Sequence, residues 1–464
     1  MAGLKTTAVG GLADRLDGEV LEPGDDEYDA ARRVWNAMVD RRPALIVRCA
    51  SAGDVAHALR FAREQGLEIG VRCGGHSILG FALPDGGLTI DLRPMAAVRV
   101  DPERRRAWVQ GGALLGALDR ATQAYGLATT AGNVSHTGVG GLTLGGGMGW
   151  LARRCGLSCD NVESFELVTA AGEQVRASAT VNPELFWGLR GGGGNFGIVT
   201  EFEFRLHAVG TRTLVADFFV PVAEAAPALR GWRDLSAAAP RQATFTASVG
   251  APAAPSLPSE LQGRALASVG FVWVGAPDEG RELLPAMRAL GPFVAESVEE
   301  LSYVDLQCAG DSILGPALRR YWKGHYLREL TDDAIDALLA SAAPEDGEIV
   351  PAIGLQAYGG AIADVPDSAT AFSHRATAFE FVASTRWADP AEDERRMRTA
   401  RRCAAALDPF ASGVYVNALS DDGAVGVRRA YPPDKLARLQ RLKDVWDPDN
   451  VFHRNANIPP SPRG

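Results

Sequence analysis

Short apolar runs that alternate with amphipathic segments predict a chain of strands and helices. Residues 44–49 form a short apolar run, and residues 54–65 place apolar side chains at helical spacing before a turn at Gly66. Two further apolar runs flank a glycine-containing loop, so residues 69–92 predict a strand, a tight loop and a strand. Residues 26–41 predict another helix.

Beyond residue 208 the pattern changes to strands and helices without clustered glycines. The predicted strands cover residues 213–220, 243–249, 265–274, 321–327, 349–358 and 376–384. The predicted helices cover residues 223–238, 279–290, 331–342 and 390–405. This alternation predicts an antiparallel sheet backed by helices.

Length and charge narrow the class of protein. A chain of 464 residues exceeds what one hydrophobic core usually supports, so two domains are expected. The net charge of −10, without a long basic run, argues against a nucleic-acid partner and favours a small-molecule substrate. No apolar run is long enough for a signal peptide or a membrane span, so we expect a soluble, cytoplasmic protein. Oligomeric state is left open.

The cysteines predict neither a disulfide framework nor a metal site. Six cysteines are spread over the whole chain, and no second Cys/His pair with zinc-like spacing accompanies Cys155 and Cys159. We therefore expect reduced thiols and no bound metal.

The loop within residues 69–92 has the composition of an anion site. Paired glycines, Gly74 and Gly75, permit positive φ and let backbone N–H groups converge on an anion, while Arg72 adds positive charge. A pyrophosphate would fit such a loop. His76 at its rim could be a base, a metal ligand, a nucleophile or an ordinary surface histidine.

A second glycine-rich stretch covers residues 131–150, with eight glycines between positions 132 and 149. Because glycine loses more conformational entropy on folding than any other residue, this density is not expected in a packed helix or a central strand. We expect instead a loop whose bare backbone contacts a flat ligand.

Residues 192–197 match the Gly-x-Gly-x-x-Gly pattern of dinucleotide-binding proteins. That motif should follow a strand and open a helix, whereas this one follows a helix-like segment and opens the predicted strand 198–206. An NAD-dependent dehydrogenase is therefore disfavoured, and the segment is better interpreted as another cofactor-binding loop.

Three segments together resemble one enzyme family. Residues 72–92, with Arg-x-Gly-Gly-His-Ser and Gly-Gly-Leu-x-Ile-Asp-Leu, resemble the covalent flavin-attachment loop of berberine bridge enzyme-like oxidases, in the vanillyl-alcohol oxidase superfamily. Residues 413–418 resemble the Tyr-x-Asn segment of that family, and residues 447–458 resemble its closing segment. The resemblance covers nearly the whole chain.

This resemblance implies FAD attached covalently through His76. Members with two covalent links carry a cysteine at the position of Val134, so a single link is expected, as in some bacterial members. By their offset, His136 and Cys155 are expected to be bystanders of the link, although His136 could still line the flavin pocket. The other implied cofactor contacts are Arg72, Cys73, Gly74, Gly75, Ser77, Gly80, Gly132, Thr137, Gly138, Gly140, Gly141, Gly145, Gly147, Trp150, Asn161, Gly197, Ile198, Val199, Asn455 and Asn457.

The fold implied by the resemblance is α+β. A PCMH-type FAD-binding domain of two α/β subdomains is expected at residues 1–207, and a substrate domain with a helix-backed antiparallel sheet at residues 208–408. Residues 409–464 are expected to return to the FAD-binding domain, which is therefore discontinuous.

The catalytic residues are expected on two segments of the chain. Strand alternation predicts that Gln356 and Tyr358 share one face, and that Tyr415 and Asn417 share another. Tyr415 is either the base or a packing residue, because Ala418 replaces a second tyrosine that many relatives carry. The further candidates are Tyr321, His325, Glu380 and Lys323, the last as a cation that could lower the pKa of a tyrosine base.

The activity implied is that of an FAD-dependent oxidase in secondary metabolism. It would oxidise an alcohol or amine carbon of a small molecule by hydride transfer to flavin N5, with O2 as electron acceptor. The alternatives are an oxidative cyclase or a dehydrogenase acting on a natural product, or a flavin-binding protein without physiological turnover.

Overall fold

The computed structural model describes residues 6–252, 257–311, 317–343 and 350–462. The elements of its first part are α1 (Thr6–Ala13), β1 (Glu19–Leu21), α2 (Tyr28–Ala31), β2 (Leu45–Arg48), α3 (Ala52–Glu64), β3 (Ile69–Arg72), β4 (Leu88–Asp91), β5 (Val98–Asp101), β6 (Arg106–Gln110), α4 (Leu115–Gln123), β7 (Leu127–Ala128), α5 (Val139–Leu144), α6 (Ala152–Cys155), β8 (Val162–Val168), β9 (Gln174–Ser178), α7 (Pro183–Leu189), β10 (Ile198–Arg205) and β11 (His207–Ala208).

The second part of the chain is richer in long strands. Its elements are β12 (Arg212–Pro221), α8 (Ala225–Ala237), β13 (Ala243–Gly250), β14 (Leu266–Val274), α9 (Pro277–Arg281), α10 (Leu284–Arg288), β15 (Ala295–Ser302), α11 (Tyr303–Cys308), β16 (Arg319–Leu327), α12 (Asp332–Ser341), β17 (Ala352–Ala357), α13 (Ala361–Asp364), β18 (Phe379–Trp387), α14 (Asp393–Leu407), β19 (Ala411–Gly413), α15 (Gly423–Ala430) and α16 (Pro433–Trp446).

The first sheet has the strand order β1-β2-β4-β3, with β4 parallel to both of its neighbours. Ser51 is the N-cap of helix α3, and its hydroxyl accepts a hydrogen bond from the Asp54 amide. The strand, loop and strand predicted for residues 69–92 are confirmed. The helix predicted for residues 26–41 is wrong beyond α2, because the amides of Trp35 and Ala37 bond to distant carbonyls instead of to a helical turn.

The second sheet has the order β5-β6-β10-β8-β9 and is antiparallel. Its apolar face packs with the last part of the chain: Val414, Leu439 and Ile458 belong to the same buried cluster as Phe165 and Phe202. Side chains of the C-terminal segment therefore pack against the second sheet, and the division of the chain into domains stays a prediction.

The third sheet has the order β15-β12-β14-β13-β17-β18-β16-β19 within the described residues, and its strand pairs are antiparallel. Helices α8, α12 and α14 cover one face, where Trp232, Ile335 and Cys403 join the buried side chains of the strands. Alternation places Gln356 and Glu380 on the opposite face. The predicted helix-backed antiparallel sheet is confirmed.

Two predictions for this part of the chain are corrected. The helix expected over residues 279–290 is broken into α9 and α10, because Pro285 lacks the N–H that a continuous helix would need. Strand β15 was not predicted, since its sequence is mostly polar and half exposed at the edge of the sheet.

The glycine-rich stretch contains a helix that the sequence did not predict. Helix α5 includes Gly140 and Gly141, although glycine was expected to exclude a helix here. The helix is short, and the Val139 amide at its start donates to the carbonyl of Ala113, a residue far back in the chain. Tertiary contacts thus override local propensity.

Two further features concern the cysteines and the lengths of the helices. The six cysteines are thiols. Among the helices of the described residues, none has the length and apolar character required to cross a lipid bilayer.

Candidate active site

The glycine-containing loop after β3 is in contact with the glycine-containing loop before α5. A Cβ atom on Gly74, in the loop after β3, would collide with the backbone nitrogen of Gly138, in the loop before α5. A Cβ atom on Gly138 would collide in turn with the Cys73 thiol. Because glycine permits this approach, the contact brings His76 of one loop beside His136 of the other.

His76 is held by neighbours around its ring. Its Nε2 lies 2.7 Å from His136 Nδ1, and its Nδ1 lies 3.4 Å from Thr137 Oγ1. Its ring stacks on Trp35, with centroids 4.8 Å apart and 14° between the planes. Burial, with His136 and Arg320 nearby, lowers the pKa of His76 to about 3. The imidazole is therefore neutral near pH 7 and can act as a nucleophile.

Arg72 and Asn161, two of the predicted cofactor residues, form hydrogen bonds with other protein groups. The buried Arg72 guanidinium donates to the carbonyls of Ala31 and Arg33, and burial lowers the pKa of Arg72 to about 10. Asn161 is buried, donates to two carbonyls of the preceding turn, and has its Oδ1 2.6 Å from His207 Nε2. These bonds fix the local backbone, and contact with the cofactor stays a prediction.

The other predicted cofactor residues line the two loops, α5 and the start of β10. Gly75 and Gly80 adopt positive φ, 71° and 61°, as the turn after β3 requires. The first loop contains Cys73, Gly74, Gly75, Ser77 and Gly80; the second contains Gly132, Thr137 and Gly138; and α5 and the following turns contain Gly140, Gly141, Gly145, Gly147 and Trp150. Gly197 directly precedes β10, which begins with Ile198 and Val199.

The C-terminal segment that contains the predicted asparagines contacts the glycine-rich loop of residues 192–197. Asn455 Nδ2 donates to the Gly194 carbonyl at 3.2 Å, and the Ile458 amide donates to Asn195 Oδ1 at 3.0 Å. The side-chain oxygens of Asn455 and Asn457 are buried without a hydrogen-bond partner among the described residues. Residues from the end of the chain are thus brought to the predicted cofactor loops.

The side chains of Tyr415 and Asn417 are in contact, but they do not lie on one strand. Strand β19 ends at Gly413, and Val416–Ala418 is a 3-10 turn, so the expected alternation is wrong. The Tyr415 hydroxyl accepts hydrogen bonds from Asn417 Nδ2 at 3.0 Å and from the Gly147 amide at 2.9 Å. Burial raises the pKa of Tyr415 well above its ordinary value, which favours a packing or positioning role over that of a base.

Gln356 and Tyr358 both adjoin Glu380. The Tyr358 hydroxyl donates a 2.7 Å hydrogen bond to Glu380 Oε2, and Gln356 lies opposite Glu380 in the pairing of β17 with β18. Gln356 Oε1 also accepts a 3.3 Å hydrogen bond from Asn133 of the second glycine loop. Burial raises the pKa of Glu380 to about 7, against the opposing effect of the Tyr358 bond. This carboxyl can therefore exchange a proton near neutral pH.

Aromatic side chains surround these polar groups. The Tyr326 ring lies 5.4 Å from that of Tyr358 and 6.4 Å from that of Tyr415, measured between centroids. Trp322 lies 5.4 Å from Trp35, the residue stacked on His76. The site is thus walled by rings, as expected where a flat aromatic group binds.

The remaining sequence candidates have structural roles. Lys323 Nζ lies 2.6 Å from Asp421 Oδ1 and 2.7 Å from Asp422 Oδ1, so these carboxylates neutralise its charge. It also lies over the Tyr321 ring, but burial nevertheless raises the pKa of Tyr321 above its ordinary value. Tyr321 donates to Asp421 at 2.6 Å, and His325 is buried against Phe381.

Comparison with known proteins identifies the family of this chain. A family model for an FAD-binding domain matches residues 43–178, and a model described as berberine and berberine-like matches residues 414–459. The chain is 32% identical to (R)-6-hydroxynicotine oxidase of Paenarthrobacter nicotinovorans, over 96% of this chain and 97% of that protein. The chain belongs to the berberine bridge enzyme-like family of FAD-linked oxidases.

Solved structures show the same fold. The crystal structure of 6-hydroxy-D-nicotine oxidase from Arthrobacter nicotinovorans aligns with a TM-score of 0.84 and 30% identity, over 96% of this chain and 98% of that one. A berberine bridge enzyme-like protein of Physcomitrella patens aligns with a TM-score of 0.86 at 23% identity, over 98% and 100%. This berberine bridge enzyme-like protein is therefore an α+β, PCMH-type FAD-dependent oxidoreductase.

The residues of this family member fit FAD. Several buried polar atoms at the site have no hydrogen-bond partner among the described residues, as expected of groups that bind a polar cofactor or substrate. They are Asn133 Oδ1, His136 Nε2, Gln356 Nε2, Asn455 Oδ1 and Asn457 Oδ1. Next to Asn455, a Cβ atom on Gly194 would meet open space.

Sequence reasoning missed or underrated four residues of this oxidase. The sequence pattern predicts a helix at Trp35 and gives no signal for Trp322. By its offset it indicates His136 as a bystander that could line the pocket, and it makes Glu380 a weaker candidate. In the sequence, polar Glu380 alternates with apolar Phe379 and Phe381. A single carboxyl at such a position of a strand is the signal that points to Glu380 as a site residue.

Proposed function

We propose that this protein is an oxidase that carries FAD on His76 through one covalent bond and oxidises an alcohol or amine carbon of a small molecule. FAD, when bound, supplies the hydride acceptor, a chemistry that no amino-acid side chain provides. The side chains of the site bind and orient the substrate, exclude water and take its proton. O2 is the proposed electron acceptor, and secondary metabolism the proposed setting.

Glu380 is the base that we propose. The single observation that carries this assignment is a carboxyl with a pKa of about 7 on the sheet face that meets the glycine-rich loops. Such a pKa keeps a large fraction ionised at neutral pH while retaining the basicity that proton abstraction needs. Tyr358, through its hydrogen bond to Oε2, orients the carboxylate.

The other predicted catalytic residues have positioning roles in this proposal. Asn417 Nδ2 donates to the carbonyl of Leu142 at 3.1 Å as well as to the Tyr415 hydroxyl, which ties the C-terminal turn to α5. Gln356 Nε2 is buried without a partner among the described residues and is the donor proposed for a polar group of the substrate.

The test is anaerobic bleaching of the flavin absorbance with a panel of secondary amines, tertiary amines, alcohols and oligosaccharides that includes 6-hydroxynicotine. Rapid bleaching by one class, with hydrogen peroxide formed when air is admitted, supports an oxidase. Bleaching that air reverses only slowly supports the dehydrogenase alternative. A cyclised product supports the oxidative cyclase. No bleaching by any member of the panel contradicts turnover of these substrate classes and favours the flavin-carrier alternative.

A further inference from the structure

His76 and His136 form a pair whose hydrogen bond distinguishes the two nitrogens of His76. The Nε2 atom makes the short contact, 2.7 Å to His136 Nδ1, whereas Nδ1 has a contact of 3.4 Å with a hydroxyl, at the long limit for a hydrogen bond. A neutral imidazole carries its proton on one nitrogen and a lone pair on the other. If Nε2–H donates to His136, the lone pair of His76 is on Nδ1.

His136 has the environment of a proton acceptor for this pair. Its ring lies 4.8 Å from that of His76, tilted by 35°. Its own second nitrogen, Nε2, is buried without a hydrogen-bond partner among the described residues. The tautomer of His136 that accepts at Nδ1 carries a proton on this Nε2, so it keeps a donor for the polar group that fills the site.

We propose that His136 acts in the attachment of FAD, by holding His76 in the tautomer with a free Nδ1 and by accepting the Nε2 proton as the bond forms. This inference rests on the covalent link at His76 in the proposed function. His136 is thus a positioning and proton-accepting residue in the modification of the protein, distinct from the residues that turn over substrate.

The step balances in atoms and electrons. A bond forms between His76 Nδ1 and the 8α-methyl carbon of the flavin, and one C–H bond of that methyl group breaks. The electron pair of the C–H bond reduces the flavin ring by two electrons, and dioxygen then oxidises the ring and becomes hydrogen peroxide. Hydrogen peroxide requires two protons, and the attachment releases two. One leaves the methyl carbon, and the other leaves His76 Nε2 and passes through His136.

The neutral state of His76 supports this role. Burial is the main cause that lowers the pKa of His76 to about 3, so protonation does not remove the Nδ1 lone pair at neutral pH. The stacking of His76 on Trp35 fixes the plane of the ring. With the plane and the tautomer both set, His76 needs no reorganisation before it reacts.

The experiment starts from apoprotein of the wild type and of His136→Phe, His136→Ala and His57→Phe, each incubated with FAD in air. Non-covalent binding is measured from the change in flavin fluorescence, and attachment from the flavin that stays with acid-precipitated protein over time. We expect the two His136 variants to attach FAD at least about 10²-fold more slowly, the usual range for loss of a proton acceptor. Millimolar imidazole should restore attachment in His136→Ala, which a purely structural role would not produce.

His57→Phe is the matched control, because it makes the same substitution at a histidine of α3 whose Nδ1 lies 3.1 Å from the Arg15 carbonyl, and it should attach FAD within about threefold of the wild-type rate. Peptide mass mapping should place the flavin on the peptide that contains residue 76.

Wild-type protein without covalent flavin would contradict the proposed link itself. Wild-type attachment together with an unchanged rate in either His136 variant would overturn only the role of His136, as would flavin on the peptide that contains residue 136. If His136→Ala does not bind FAD, His136→Phe gives the same comparison; if neither binds FAD, His136 is a folding or binding residue and the proposal is overturned.

Discussion

The Tyr358 hydroxyl donates a 2.7 Å hydrogen bond to Oε2 of Glu380, a carboxyl that lies opposite Gln356 in the sheet. The bond links a residue that follows β17 to the neighbouring strand β18. It fixes the orientation of the proposed base and also stabilises its charged form.

Glu380→Gln removes the proposed base and preserves its shape. We expect the rate of flavin reduction to fall by about 10²- to 10⁴-fold, the usual range for loss of general base catalysis. The wild-type rate should rise with pH through about 7, because only ionised Glu380 accepts a proton, and this rise should vanish in the variant. Anaerobic stopped-flow absorbance with the substrate found in the panel measures both quantities. Ser384→Ala, on the same face of β18, is the control, and a Glu380→Gln rate equal to that of the control would exclude this base.

Tyr358→Phe should move the pH dependence without abolishing it. The hydrogen bond favours the carboxylate and so lowers the pKa of Glu380; its removal raises that pKa above about 7. A hydrogen bond to a charged group contributes roughly 1.5 kcal/mol or more, which corresponds to about one pH unit. The reduction rate should therefore be lower at pH 7 and approach the wild-type rate at higher pH. A profile that stays in place would show that the bond does not tune Glu380.

Tyr415→Phe tests the competing assignment. Because burial raises the pKa of Tyr415 well above its ordinary value, the residue stays protonated and should not be the base. We expect less than about a tenfold fall in the rate of flavin reduction, with the pH profile unchanged. A loss as large as that of Glu380→Gln would instead identify Tyr415 as the proton acceptor.

His76→Ala should yield protein that still binds FAD but releases it on acid precipitation. The alanine keeps the loop and removes the nucleophile, so the supernatant should be yellow and the denatured band on a gel should not fluoresce. His374→Ala retains His76 and serves as the comparison. Fluorescence retained in the His76→Ala band would place the covalent link elsewhere.

The pair of Arg375 and Asp160 should be important for stability. Arg375 Nη2 lies 2.6 Å from Asp160 Oδ1, and the two side chains are only 3% and 5% exposed. Arg375→Met leaves a buried carboxylate unpaired and should lower the free energy of unfolding by about 3–5 kcal/mol. Arg241→Met removes an exposed pair with Asp364 and should change it by less than about 1 kcal/mol. Chemical denaturation of both variants measures the difference, and equal losses would contradict the importance of burial.

Local pattern predicted much of the fold, and long-range contacts supplied most of the rest. Residues 69–92 were predictable because each strand there is a continuous apolar run. Residues 33–41 were not, since the amides of Trp35 and Ala37 bond to groups far along the chain. The asparagines at 455 and 457 were found only because a family pattern matched them.

The sequence does not predict which residues of the site are in contact with each other. His76 and His136 are 60 positions apart and meet through a glycine contact between two loops. Glu380 and Tyr358 depend on the register of two strands, and the pKa of Glu380 depends on burial by the surrounding side chains. Neither burial nor register can be obtained from composition or spacing alone.

The return of the C-terminal segment has a consequence for biosynthesis. The buried Lys443 ammonium donates to the Asn195 and Phe452 carbonyls, and Ile458 closes the apolar cluster that contains Phe202. While the ribosome is still making the third sheet, the first third of the chain has already emerged without these partners for its apolar surface. Because the missing contacts come from the last residues of the chain, the second sheet can bury this surface only when synthesis is nearly complete.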